Sequence, residues 1–309
     1  MAIELAYDGG EMFAPPPEEA GGVRLDESRT ARLERIVGKS GLRKLADSRV
    51  CVLGLGGVGS SCAEALVRGG IGNFVFVDQD VVQPSNLNRQ AIAFQSTIGR
   101  PKIEVMAEMS KDINPDVNIR AYKYFLDSEN IGIFMDDHIA ELDYVVDAID
   151  SISTKLALAE YFCKLERRAK RQSAKSNGIE SDGGEAPDHG TSKAVGYTKG
   201  DRVPLLISSM GGGNKLDPTE FGFSDLYKTV NDPIARTMRK EGRKRGIDHL
   251  LVLSSSEHPV KTHPDKQATR KQRAGLGTMS YIPPIMGQML AGYVIRDILK
   301  DDPMISEGN

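Results

Sequence analysis

Short apolar runs alternate along this chain with stretches where apolar residues recur every three or four positions. Between residues 31 and 46, Leu33, Ile36, Val37, Leu42 and Leu45 follow the helical period, which predicts an amphipathic helix. The run VCVLGL at 50–55 predicts a strand, and a helix is expected from about 58 to 69. A second strand, FVFVD, ends at Asp78. The next helix is expected to begin near Pro101, a residue suited to a first turn, and to stop at Asn114-Pro115. Strands over 118–123 and 143–149 and a helix over 152–168 follow. Such alternation predicts an α/β fold with a Rossmann-like, doubly wound, mostly parallel sheet and flanking helices.

The pattern lapses twice. Residues 1–27 hold Pro15-Pro16-Pro17, glycine pairs and scattered acids, which predicts a disordered acidic tail. Residues 169–201 are polar, rich in Gly and Ser, and lack an apolar period, so a disordered surface insertion is expected. Order resumes with VPLLIS at 203–208, the glycines Gly211, Gly212 and Gly213, and TEFGFS. A basic helix around 233–244, a strand at 249–254 and a closing helix at about 285–300 complete the chain. Four parts result: the tail, a Rossmann-like part over 28–168, the insertion, and a C-terminal α+β extension of the same domain over 202–302.

Composition bounds the rest. Of 309 residues, 39% are hydrophobic and 27% charged, ordinary values for a soluble globular protein. No apolar run reaches 18 residues, so no transmembrane helix is expected. The first residues are acidic where a signal peptide would be basic, and the expected location is the cytoplasm. Cys51, Cys62 and Cys163 form no CxxC pair and are read as buried, reduced thiols, so no zinc site built from cysteines is expected. Net charge is −3 but uneven, with twelve Lys/Arg against five Asp/Glu in residues 228–273. That excess is either a solvated face or a surface for a polyanion.

The chemistry starts at Gly54-Leu55-Gly56-Gly57-Val58-Gly59-Ser60, a glycine-rich turn between strand and helix. Glycines let the backbone approach phosphates, and a helix N-terminus offers free N–H groups to negative charge. Asp78, at the end of the second strand, stands where an acid accepts hydrogen bonds from ribose hydroxyls. Nicotinamide enzymes satisfy this much, but Arg89 and Lys102 do not fit hydride transfer. Two such cations offset polyphosphate charge in phosphoryl or nucleotidyl transfer. Asp150, after the apolar run YVVDAI, is read either as a helix N-cap, a role Ser151 fills equally well, or as a ligand for Mg²⁺ on a triphosphate.

The series GLGGVGS, DQD, SNLNRQ, GRPK, Ile113-Asn114-Pro115 and DAID resembles the ThiF/MoeB superfamily, which includes the ubiquitin-activating enzymes, over about residues 29–165. The resemblance implies that ATP adenylates a carboxylate. It implies Gly54, Gly56, Gly57 and Gly59 in the nucleotide loop, Asp78 on the ribose, Asn86, Arg89 and Lys102 on the phosphates, and Asp150 on the metal. Arg32 is similar to an arginine that crosses a homodimer interface to the neighbour's ATP; an ordinary exposed helix arginine is the alternative.

Members that activate ubiquitin-like or sulfur-carrier proteins commonly have paired CxxC zinc motifs, and many have an acyl-capturing cysteine on a crossover loop. This chain has neither, and no cysteine follows Cys163. Its second half, from MGGGNKLDPTEFGFSDL through Asp232-Pro233 and Arg239 to SSSEHP, resembles the tRNA threonylcarbamoyladenosine dehydratases. Some of these have a cysteine near His249–Leu253; its absence here argues against thiol chemistry. The resemblance implies a tRNA bearing N6-threonylcarbamoyladenosine as substrate, with adenylation followed by ring closure. It makes Arg236, Arg239, Lys240, Arg243, Lys244 and Arg245 a candidate tRNA surface. A sulfur-transfer partner protein is also allowed. Two alternatives stay open: activation of a carrier protein's C-terminus, and a nucleotide-binding module without catalysis.

Overall fold

The computed structural model describes residues 27–176, 203–262 and 276–302. The expected tail lies outside them except for Glu27, as does the insertion from residue 177 onward. Strands β1 (Arg49–Leu53), β2 (Asn73–Val77), β3 (Asn118–Tyr122), β4 (Tyr144–Asp147), β5 (Leu205–Ser209), β6 (Phe221–Asp225) and β7 (Leu251–Ser255) form one sheet in the order β3-β2-β1-β4-β5-β7-β6. Six strands are parallel, and only β6, at the edge, runs antiparallel to β7. Both halves of the sequence thus contribute to a single sheet.

Strand residues alternate between two cores because successive side chains point to opposite faces. Val50 and Val52 join Phe74, Phe76 and Val146 on one face. That face is covered by α1 (Ala31–Asp47), α2 (Gly57–Arg68), α3 (Lys102–Ile113) and α7 (Ile282–Leu299). Cys51 and Leu53 join Val75, Val77 and Val145 on the other. There α4 (Ile131–His138), α5 (Ile152–Ser176) and α6 (Pro233–Lys244) pack. All three cysteines are buried in these two layers, as read from the sequence.

Three local differences from the sequence pattern stand out. Helix α5 runs to Ser176, through eight residues read as insertion. Ala, Lys, Arg and Gln there are good helix formers, and a solvated helical turn has no apolar period to reveal it. Helix α4 is short and has no counterpart in the pattern reading. Helix α1 is kinked at Gly38, whose φ of 63° is non-helical. No helix among the described residues is long and apolar enough to cross a membrane.

Candidate active site

In an open parallel sheet, a crevice opens where neighbouring strands send their connections to opposite faces. Here that point lies between β1 and β4, and a cavity of about 390 Å³ occupies it. Its walls include Gly54, Gly56, Gly57, Asp78, Asn86, Arg89, Lys102 and Asp150, so eight of the ten residues singled out from sequence converge there. The two others do not line it. Gly59 lies buried in α2, and Arg32 stands exposed in the first turn of α1.

The loop geometry explains the glycines. Gly54 has φ of 87°, a conformation that L side chains rarely adopt. A Cβ on Gly59 would stand 1.8 Å from the Gly54 carbonyl oxygen, so the helix can approach the strand only without one. A Cβ on Gly56 would meet nothing within 4 Å, which leaves room for a ligand above the N-terminus of α2.

The charged groups are already organised. Asp78 Oδ2 accepts from the Leu55 N–H at 2.7 Å, and Oδ1 accepts from the Asp80 N–H at 2.7 Å. Burial pushes the Asp78 carboxyl up, partly offset by Lys102 and those two N–H donors. The Lys102 ammonium donates to Asp80 Oδ2 at 2.9 Å and lies 3.8 Å from Asp78 Oδ2. Asn86 Oδ1 accepts from the Gln83 N–H at 3.0 Å. Arg89 donates to the Ser85 carbonyl at 3.0 Å and to Asn88 Oδ1 at 2.7 Å. The stem of Arg89 packs over Gly57, where an added Cβ would lie 3.1 Å from Arg89 Cγ. Of the two readings of Asp150, the cap falls to its neighbour: Ser151 Oγ accepts from the Thr154 N–H at 3.4 Å, at the start of α5. Asp150 is exposed on the cavity wall.

Other wall residues carried no signal of their own in sequence. Gln90 is buried, and its Oε1 is the one buried side-chain polar atom without a partner among the described residues. An unpaired buried acceptor on a cavity wall invites a donor from a ligand. Tyr124 and Phe125 bring aromatic rings to the wall, and Gly212, Gly213 and Thr278 close it from the second half of the chain. Behind it, Lys155 Nζ lies 3.0 Å from Asp147 Oδ2, with both side chains buried. Ser208 Oγ donates to the same Oδ2 at 2.6 Å, and the Ile149 N–H donates to Oδ1 at 3.1 Å. This network holds the segment that carries Asp150.

A model of the ThiF family matches residues 27–308. The chain belongs to the ThiF family. A tRNA threonylcarbamoyladenosine dehydratase of Bacillus subtilis (strain 168) is 36% identical over 280 residues, covering 88% of this chain and 94% of the relative. Among solved structures, the E. coli tRNA N6-threonylcarbamoyladenosine dehydratase in complex with ATP superposes with a TM-score of 0.66 at 26% identity, covering 91% of this chain and 96% of that one. By contrast, the molybdopterin-synthase adenylyltransferase of E. coli (strain K12) matches only 37% of this chain, at 36% identity.

The basic surface read from sequence needs one correction. Arg239 turns inward and donates to the Thr229 carbonyl at 2.9 Å and to Thr229 Oγ1. Arg243 stacks over the Tyr227 ring, 5.1 Å from its centroid, and Lys244 pairs with Glu241 at 2.9 Å. Arg236 and Lys240 are exposed on the same helix.

Proposed function

We propose that this protein uses ATP to adenylate the threonylcarbamoyl carboxylate of N6-threonylcarbamoyladenosine in tRNA and then closes that side chain into a ring. The observation that carries the reading is the extent of likeness: similarity to the Bacillus subtilis dehydratase covers 88% of this chain and 94% of the relative. Likeness to the molybdopterin-synthase adenylyltransferase covers only 37% of the chain.

The carboxylate oxygen attacks the α-phosphorus of ATP, and the bond to pyrophosphate breaks. The resulting acyl-adenylate has AMP as a good leaving group. The neighbouring carbamoyl group attacks the activated carbonyl and expels AMP, so the nucleoside has lost one water. Ring closure within one molecule draws its rate from proximity and needs no covalent enzyme intermediate. In this reading Gly54, Gly56 and Gly57 let the phosphates approach, and Asp78 takes the ribose hydroxyls. Asn86, Arg89 and Lys102 meet the phosphates, for which Lys102 must leave Asp80. Asp150 supplies a hard carboxylate oxygen, the donor class that Mg²⁺ takes, and the ion bound there would offset triphosphate charge.

We also take the working unit to be a homodimer in which Arg32 reaches the partner's site. Ile36, one turn along α1 from Arg32, is strongly exposed, which favours a covering surface there. The exposed basic side chains of α6 are the tRNA-facing candidates. The cytoplasm, where tRNA and ATP meet, is the expected compartment. A sulfur-transfer partner would be accessory, since no step needs a thiol.

The test is exchange of labelled pyrophosphate into ATP with modified tRNA, unmodified tRNA or a small carrier protein. Exchange is expected only with modified tRNA, and mass spectrometry of the nucleosides should show loss of one water. Exchange driven by the carrier protein alone would establish the alternative, activation of a carrier's C-terminal carboxylate.

A further inference from the structure

Away from the cavity, four side chains with metal-binding chemistry meet on the flank formed by α5 and the turn that leads into β7. Cys163 and Glu166 stand one turn apart on α5, and Asp248 and His249 precede β7. Cys163 Sγ lies 3.7 Å from Asp248 Oδ1, and His249 Nδ1 lies 2.7 Å from that same oxygen. One ligand atom each from Cys163, Asp248 and His249 falls within 4.8 Å of the others.

We propose that Cys163 Sγ, Asp248 Oδ1 and His249 Nδ1 form a three-ligand Zn²⁺ site, completed by water. The donor set selects the metal: thiolate with imidazole and carboxylate suits zinc, whereas Mg²⁺ and Ca²⁺ take oxygen alone. The spacing fits. A tetrahedral zinc with bonds of about 2.3 Å to sulfur and about 2.0 Å to oxygen holds those atoms about 3.5 Å apart. Nδ1 and Oδ1 must part by about half an ångström to admit the ion, and both residues are exposed and can turn.

The second atom of each polar ligand is already held. His249 Nε2 lies 2.7 Å from Glu166 Oε2, so Glu166 accepts the Nε2 proton and leaves Nδ1 for the metal. Asp248 Oδ2 lies 3.1 Å from the Arg167 guanidinium. Burial pushes the Cys163 thiol up. A cysteine that ligates zinc does so as the thiolate, so zinc binding releases a proton. None of these residues lines the cavity, and the ion would act as a clamp between α5 and β7.

The test uses the full chain, stripped with a chelator and titrated with Co²⁺ alone. One cobalt per chain is expected, with a near-ultraviolet thiolate-to-metal band and the intense visible bands of tetrahedral Co²⁺, all removed by Zn²⁺. Cys163→Ser should lose the thiolate band. His249→Gln, at the surface, should weaken zinc by about a hundredfold, and Glu166→Gln by about tenfold, the range for outer partners of metal ligands. Zinc should raise the thermal midpoint of the wild type and not of His249→Gln. A chain that binds no cobalt, or binds it without the thiolate band, overturns the site. Zinc affinity unchanged in a folded His249→Gln variant overturns it as well.

Discussion

Two lysines face two aspartates on either side of one strand end, and they do opposite things. Lys102 pairs with Asp80 and nears Asp78 beside the cavity, where Asp80 is 57% exposed. Lys155 pairs with Asp147 one layer beneath, with side-chain exposures of 2% and 1%. In the first pair Lys102 itself is only 7% exposed, but it lines the cavity and its partner Asp80 faces solvent, so an anion in the cavity can draw the ammonium away. The second is sealed, and Ser208 and the Ile149 N–H take up the carboxylate's remaining capacity. On the proposed reading, identical residue types yield a binding group in one place and a foundation in the other, and the exposure of the partner carboxylate separates them.

The sharpest way to break this comparison is to delete each cation. Lys155→Met strands a buried carboxylate and should cost about 3–5 kcal/mol of stability, read by chemical denaturation. Lys102→Met leaves Asp80 within reach of water but also takes the cation from beside the buried Asp78, so the loss should be smaller than for Lys155→Met without vanishing. Its turnover, however, should fall at least about a hundredfold, the usual size for a preorganised charge-stabilising group. Equal destabilisation by the two changes would erase the distinction.

Arg89→Ala and Asp150→Ala extend the test to the rest of the wall. Each should lower tRNA-dependent turnover by at least about a hundredfold, with the unfolding midpoint nearly unchanged because both side chains reach the cavity wall from outside the cores. Near-normal turnover in a folded variant removes that residue from the scheme.

A smaller effect reads out Arg32. If it serves the partner's site, a mixture of Arg32→Ala and Arg89→Ala chains regains one intact site in each mixed dimer. Activity should return to about a quarter of wild type, from half the dimers mixed and half their sites intact. Chains that exchange subunits and stay inactive show that Arg32 does not act across the interface. The smallest effect belongs to Cys51 and Cys62. Both are fully buried, with thiols pushed up by burial, so the double alanine variant should lose some stability and keep its turnover. Loss of activity in a folded double variant would bring thiol chemistry back.

Local pattern carried most of the first half. The strand-turn-helix setting of Gly54–Gly59 and the positions of Asp78, Lys102 and Asp150 near strand and helix ends were readable because each depends on nearby sequence. Gln90 sat in the quoted SNLNRQ run without a sign of its importance, since an unpaired acceptor is visible only once its surroundings are known. Arg239 carried the opposite error: it looks like any surface cation until its bonds to Thr229 are seen. The last eight residues of α5 escaped because a solvated helix and a polar loop can share a composition.

By itself, then, the chain determined its alternation of strands and helices, the glycine turn, the acid that follows it and the motif series of its family. These depend on period, backbone freedom and short spacing, which a linear sequence records. Tertiary structure decided the placement of β6 antiparallel at the edge, the sealing of Asp147 with Lys155 and Ser208, and the closing of the cavity by Gly212 and Gly213. It also decided the meeting of Cys163 with His249, 86 residues apart. Burial and long-range contact set what a charge or a thiol can do, and both arise only when distant segments pack.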